Sequence, residues 1–222
     1  MKKWLRNIVK EFMSTLMVLK NIVFLLMNLK FLNGLYALFE KNECCHGTCR
    51  IVMVGTHTGS KSTLVDRLNE HFIKENKDRS MLRKHIGRAL LNKKNDPFLE
   101  CWDKDLTSRK NKELYSDKID SLKQKEVESK VTEYIRNNFF FTAIPIDDLK
   151  ERKYFKKRLI ATVNSCGECR PSSNWFGFFH PDKKIRKSGL WNVHYLQDTS
   201  LSENDLNTLL GANLDAIKWG MM

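Results

Sequence analysis

Two apolar runs near the start of the chain constrain the fold more than anything else in the sequence. Leu35 to Phe39 (LYALF) and Arg50 to Val54 (RIVMV) read as strands rich in β-formers. The polar stretch between them, Glu40 to Cys49, contains Gly47 and is too short to carry a crossover helix. Parallel neighbours need a connection of a dozen or more residues, so these two runs form an antiparallel hairpin. Further along, helical periodicity predicts helices from about Thr63 to Lys74 and from Ser80 to Asn92. A Lys/Glu-rich helical stretch from Glu113 to Arg136 has Tyr115, Ile119, Leu122, Val127, Val131 and Tyr134 as its apolar line. Asn95 to Asn111, with Pro97 and Trp102, reads as loop. Phe139 to Ile146 (FFFTAIPI) is a buried strand, followed by a helix from Glu151 to Val163 and then an irregular segment with Gly167, Pro171, Gly177 and Pro181. The order β-β-α-α-(insert)-β-α excludes a simple doubly wound parallel sheet.

Before the hairpin, Met1 to Leu32 reads as an amphipathic helix, with Trp4, Ile8, Phe12, Leu16, Leu19 and Val23 at helical spacing. Lys20 and Lys30 interrupt its apolar stretch, so no uncharged run approaches the roughly 18 to 20 residues that span a bilayer. The expected organisation is this segment over 1–32, a domain over 33–196 with a helical insert at about 95–138, and a tail over 197–222. A cytoplasmic protein without integral membrane association is expected.

The chain carries 39 Lys and Arg against 26 Asp and Glu, a formal net charge of +13. That surplus attracts polyanions, and DNA is the expected partner, with RNA not excluded. The six cysteines are too few for a disulfide scaffold in a chain of this length. Cys166-Gly167-Glu168-Cys169 has zinc-knuckle spacing, and Cys44, Cys45, His46 and Cys49 could supply the other half of a structural Zn2+ site. Reduced thiols in the cytosol are the alternative.

The turn after the second strand, Gly55-Thr56-His57-Thr58-Gly59-Ser60-Lys61-Ser62, admits two readings. A phosphate loop needs GxxxxGK[ST] after a strand; Lys61 and Ser62 are in place, but the second glycine is Ser60. That glycine lets the backbone curl its N–H groups around phosphate, so a P-loop nucleotide hydrolase is the weaker reading.

The other reading starts from Gly34-Leu35-Tyr36 in the first strand, Val54-Gly55-Thr56 ending the second, and Leu64-x-x-Arg67-Leu68-x-x-His71 on the helix. With the element order, these residues resemble the GIY-YIG nuclease family. GLYALFE (Gly34 to Glu40), RIVMVGTHT (Arg50 to Thr58), LRKHIGRALL (Leu82 to Leu91), NWFG (Asn174 to Gly177) and IRKSGLWNV (Ile185 to Val193) look like blocks of one prokaryotic branch of it. The resemblance implies an α/β (α+β) fold: a small, mainly antiparallel three-stranded sheet flanked by helices, plus the N-terminal helix and the insert. It implies phosphodiester hydrolysis with Mg2+, Tyr36 as base or positioner of the attacking water and Arg67 on the scissile phosphate. His57 joins them as a catalytic candidate, and Lys61, His71, Arg83, Lys84 and His85 are candidate nucleic-acid contacts.

Two positions depart from the family pattern. The second family tyrosine falls at Val54, which has no hydroxyl. The metal-binding glutamate, aligned through RKYFKKRLIA (Arg152 to Ala161), falls at Lys156, and an ammonium repels a divalent ion. The expectation is therefore a GIY-YIG-type DNA endonuclease fold with cleavage impaired or lost. A catalytically inactive nucleic-acid-binding module is the alternative.

Overall fold

The computed structural model describes residues 32–59, 61–209 and 211. The expected N-terminal helix therefore lies outside the described residues, Leu32 apart. Strands β1 (Gly34–Cys45), β2 (Thr48–Thr56) and β3 (Phe139–Pro145) form a sheet in the order β2-β1-β3, antiparallel at both pairings. Tyr36 lies opposite Gly55 on one side and Ala143 on the other. A P-loop hydrolase needs its strands parallel and joined by helices, so that reading is overturned.

The hairpin is longer than expected. Most of the stretch read as a loop, Glu40 to Cys49, continues the two strands, with shifts of register between Leu38 and Cys44 and a positive φ of 67° at Asn42. The chain reverses at His46 and Gly47, whose φ values of 53° and 76° are those of a two-residue type I′ turn. The polar character that suggested a loop has another cause: Glu40 and Glu43 point inward and are buried.

The helices follow as α1 (Leu64–Phe72), α2 (Met81–Lys93), α3 (Leu99–Trp102), α4 (Arg109–Tyr115), α5 (Ser121–Asn138), α6 (Leu149–Ser165) and α7 (Lys183–Ser188). Helix α3 falls within the region read as loop, and α4 straddles its end, running from Arg109 into the stretch read as helical. Thr63 and Asp66 form a capping box at the start of α1, and Asp148 caps α6 by accepting from the Glu151 N–H. Each such cap contributes about 1 kcal/mol.

Alternation along β1 gives the sheet two buried faces. Tyr36 and Leu38 join Val52, Leu64, Leu68, Phe72, Ile86, Val131 and Ile135 on the side of α1, α2 and α5. Leu35, Ala37 and Phe39 join Phe155, Leu159, Ile160 and Val163 of α6 on the other. Leu201, Leu206 and Leu209, in the segment expected as a tail, are buried in that second layer. Leu122, expected on the apolar line of α5, is instead among the most exposed apolar residues, because α5 has turned only its later half toward the sheet.

Glu40 ties distant parts of the chain together. Its carboxyl accepts from Tyr134 Oη at 2.5 Å, Trp175 Nε1 at 2.9 Å and Trp191 Nε1 at 3.1 Å. Burial raises its pKa, against the pull of those three donors. The same segment covers the outer edge of β2: the Trp191 N–H donates to the Val52 carbonyl, and the Asn192 amide pairs with both backbone groups of Val54. An edge covered in this way offers little to a second chain.

Candidate active site

The site is built where β1, β2 and the last turns of α1 meet. Tyr36 is 1% exposed, and its ring packs over Gly55 of the neighbouring strand. A Cβ at Gly55 would sit 2.1 Å from Tyr36 Oη and 2.2 Å from Cζ. Gly55 is therefore there to admit the phenol, and not to curl around a phosphate.

Tyr36 Oη is 2.7 Å from His71 Nε2, and His71 Nδ1 is 2.6 Å from Ser80 Oγ, the cap of α2. Burial holds His71 well below the ordinary imidazole pKa, with Arg67 and Arg83 adding to the effect, so His71 is neutral. Burial also raises the Tyr36 phenol, and the Arg67 guanidinium beside it pulls it partly back. The resting site thus holds a neutral phenol against a neutral imidazole. With Nδ1–H donating to Ser80, Nε2 is the acceptor for the Tyr36 hydroxyl proton, a tautomer assigned from the network. That chain can take a proton from the phenol as the phenol takes one from outside.

Arg67 stands at the outer side of this chain, about a quarter exposed. Its guanidinium donates to Glu70 Oε2 at 2.9 Å and to the Arg79 carbonyl at 2.7 Å. Lys156, on α6, lies within electrostatic reach of Arg67. Its pKa is lowered by burial and then by Arg67, and its Nζ is 5.6 Å from the Tyr195 ring. Arg67 therefore stands beside Tyr36 with Glu70 as its paired carboxylate, and Lys156 is near enough to Arg67 for their charges to repel.

The other sequence candidates go elsewhere. His57 directly follows β2, with Nε2 2.9 Å from Asn33 Oδ1 and Nδ1 buried without a hydrogen-bond partner. Asn33 in turn donates to Asp147, away from the Tyr36–His71–Ser80 chain. Lys61 is exposed on the turn before α1, and the Lys84 ammonium is directed to the Asp103 carbonyl.

Three expected nucleic-acid contacts are not on the surface. His71 is buried beneath Tyr36. Arg83 is wholly buried, with Nε and Nη2 on Glu128 Oε2 at 2.9 and 2.6 Å and Nη1 on the His71 carbonyl. His85 is buried against His180 at 3.0 Å. Each lies on an inward face of its helix, where a basic residue is tolerated because a buried partner satisfies it. Sequence reasoning missed Ser80 and Glu70; the first had a signal, since a serine before a helical run is a cap candidate. The sulfurs of Cys45 and Cys169 and the imidazole of His46 lie within 4.8 Å of one another, a grouping away from this site.

A family model described as the GIY-YIG domain matches residues 27–213, most of the chain. The chain belongs to the GIY-YIG family. Comparison with curated proteins and with solved structures gives no match. The antiparallel sheet with flanking helices is the one that membership requires, and no described helix is long and apolar enough to cross a membrane.

GIY-YIG nucleases are in general metal-dependent. The donor set beside Tyr36 does not fit a divalent cation. Hard cations need several oxygen ligands, and here one carboxylate, Glu70, is held by Arg67, with the Lys156 ammonium adding positive charge within reach of that guanidinium. Asp147 and Asp148 are engaged with Asn33 and with the cap of α6.

Proposed function

We propose that this GIY-YIG protein binds DNA at the Arg67–Lys156 pair and that it has lost metal-dependent cleavage of the phosphodiester. The observation that carries the reading is the residue itself: Lys156 stands where the family pattern has a metal-binding carboxylate, and its charge is felt by Arg67. Two cations within electrostatic reach of each other suit a phosphate. The guanidinium fork grips two oxygens, and the ammonium adds a compact point charge. The overall charge of +13 supports a polyanionic partner and a binding mode dominated by the backbone of the nucleic acid.

The proton-handling part of the site is kept. A water held beside the bound phosphate would give its proton toward Tyr36 Oη while Tyr36 passes its own to His71 Nε2, with Ser80 fixing the imidazole. What is missing is stabilisation of the charge that grows on the leaving oxygen. A metal contributes several kcal/mol there, and a loss of about 4 kcal/mol slows a reaction about a thousandfold.

The test is nicking of supercoiled plasmid by the purified chain in Mg2+ and in EDTA, beside binding to labelled duplex DNA and duplex RNA across a salt series. The expected result is DNA binding that weakens steeply with salt, with no Mg2+-stimulated nicking. Lys156→Glu is expected to gain Mg2+-stimulated nicking, and to lose it again when combined with Arg67→Ala. Robust Mg2+-dependent cutting by the unaltered chain would overturn the loss of catalysis. Cutting that survives EDTA would show the ammonium replacing the metal charge. Affinity absent at low salt, or confined to RNA, would overturn DNA as the partner.

A further inference from the structure

A second cluster of chemistry-bearing side chains lies at the far end of the hairpin. The type I′ turn places Cys45 and His46 at the tip of β1–β2, and the segment after α6 brings Cys166 and Cys169 against them. His46 Nε2 is 3.2 Å from Cys166 Sγ and 3.4 Å from Cys169 Sγ, and Cys45 Sγ is 3.4 Å from Cys169 Sγ. These separations are far longer than a disulfide and close to the edges of a tetrahedron around zinc. Zn–S and Zn–N bond lengths give edges of about 3.8 Å between two sulfurs and about 3.5 Å between sulfur and nitrogen.

Three further features belong to a metal centre. The His46 side chain is 3% exposed, and its Nδ1 is 3.0 Å from Glu168 Oε2. That carboxylate fixes the tautomer with Nδ1 protonated and leaves the Nε2 lone pair aimed at the sulfurs, as an outer carboxylate does for a zinc-bound histidine. The Cys169 N–H donates to the Cys166 carbonyl at 3.3 Å, which closes a tight CxxC turn. Finally, Cys45, Cys166 and Cys169 are buried in the second core layer, so an ion there would be shielded from solvent as in a closed structural site.

We propose that Cys45, His46, Cys166 and Cys169 bind one Zn2+ as a structural Cys3His centre, with Glu168 as outer-shell partner of His46. Three thiolates and one imidazole are a soft tetrahedral set that suits Zn2+ and disfavours Mg2+ and Ca2+. Cys44 is exposed and Cys49 half-buried, and neither belongs to the ligand set. The ion would clamp the hairpin tip to the C-terminal end of α6, the helix that carries Lys156. The proposal is independent of whether the chain cuts DNA.

The test uses the full chain purified without a polyhistidine tag. Metal analysis after dialysis is expected to give close to one zinc per chain. Exchange for Co2+ is expected to give the intense visible bands of a tetrahedral thiolate site with a thiolate charge-transfer band in the near ultraviolet. Cys169→Ser should abolish the stoichiometric metal. Because that variant could fail to fold, His46→Cys is the second: it should keep one Co2+, tetrahedral, with stronger charge transfer. Zinc well below one per chain in the unaltered protein together with a weak octahedral Co2+ spectrum would overturn the site. A Cys45–Cys169 disulfide found by mass spectrometry of the protein as isolated would also overturn it. Loss of metal in Cys44→Ser would overturn the ligand assignment.

Discussion

Replacing Gly55 by alanine is a direct test of how Tyr36 is held. Gly55 needs no unusual backbone angle, so alanine brings no conformational strain of its own. Its effect comes through one atom, a Cβ placed 2.1 Å from Tyr36 Oη and 2.2 Å from Cζ. Carbon atoms meet comfortably at about 3.5–4.0 Å, so the phenol must retreat by roughly 1.5 Å. It is buried in the layer formed with Leu64, Leu68 and Phe72, so it retreats only by displacing close-packed neighbours. Forced overpacking costs about 1–3 kcal/mol, and breaking the 2.7 Å bond to His71 leaves a buried polar group unpaired for about 1–3 kcal/mol more. The sum, about 2–6 kcal/mol, is a large part of the about 5–15 kcal/mol that holds a domain folded. Urea unfolding followed by tryptophan fluorescence should show the midpoint of Gly55→Ala lowered by about 2 M, taking a mid-range slope. Tyr36→Leu in the same chain removes the clashing atoms, so the double variant should be more stable than the two single losses combined predict, by at least about 1 kcal/mol. An unchanged midpoint in Gly55→Ala, or simple additivity in the double variant, would refute the packing of Tyr36 on Gly55.

Stability should fall as the pH drops below the ordinary histidine value. Burial lowers His71 well below 6.5, His85 to about 2 and His180 to about 4, while the unfolded chain protonates all three near 6.5. The unfolded state then binds more protons than the folded one, so stability is full above about pH 6.5. Below it each of the three removes up to about 1.4 kcal/mol per pH unit, His180 ceasing to add loss below its folded value of about 4. A urea midpoint that stays flat from about pH 7 to about pH 5 would refute this. Arg83→Ala should lose about 3–5 kcal/mol, because it strands Glu128 in the interior, and joint replacement of both by apolar residues should recover most of the loss. Equal stability of Arg83→Ala and the unaltered chain would place Arg83 on the surface after all.

The topology was legible because hairpin spacing and periodicity are local properties. The loop between Leu35–Phe39 and Arg50–Val54 was too short for anything but an antiparallel pair, and β3 and α6 announced themselves as continuous or periodic apolar runs. Family resemblance singled out Tyr36 and Arg67 as candidates and Lys156 as the departure, and the structure sets the Arg67 guanidinium beside the Tyr36 phenol. Misread were the positions whose meaning depends on a partner far along the chain. Glu40 and Glu43 looked like loop residues because nothing local shows that Trp175, Trp191 and Ser172 will meet them. Arg83 and His85 looked like surface cations because their partners, Glu128 and His180, are 45 and 95 residues away. Leu122 failed for the opposite reason: helical periodicity shows a stripe but not where along it the neighbouring layer stops.

The three donors to Glu40 also bear on the order in which the domain can assemble. They lie 94, 135 and 151 residues further along the chain. During synthesis the hairpin strands emerge first, yet β1 carries a carboxylate that is costly to bury until those donors exist. Water must keep solvating that end of β1 until the segment around Trp191 has been made and has docked. The early hairpin is thus prevented from committing to a dry interface, native or wrong, before nearly the whole domain is available. Contacts of such long range are closed late and at high entropic cost, so this chain should fold slowly for its size, with closure of the Glu40 end among the last events.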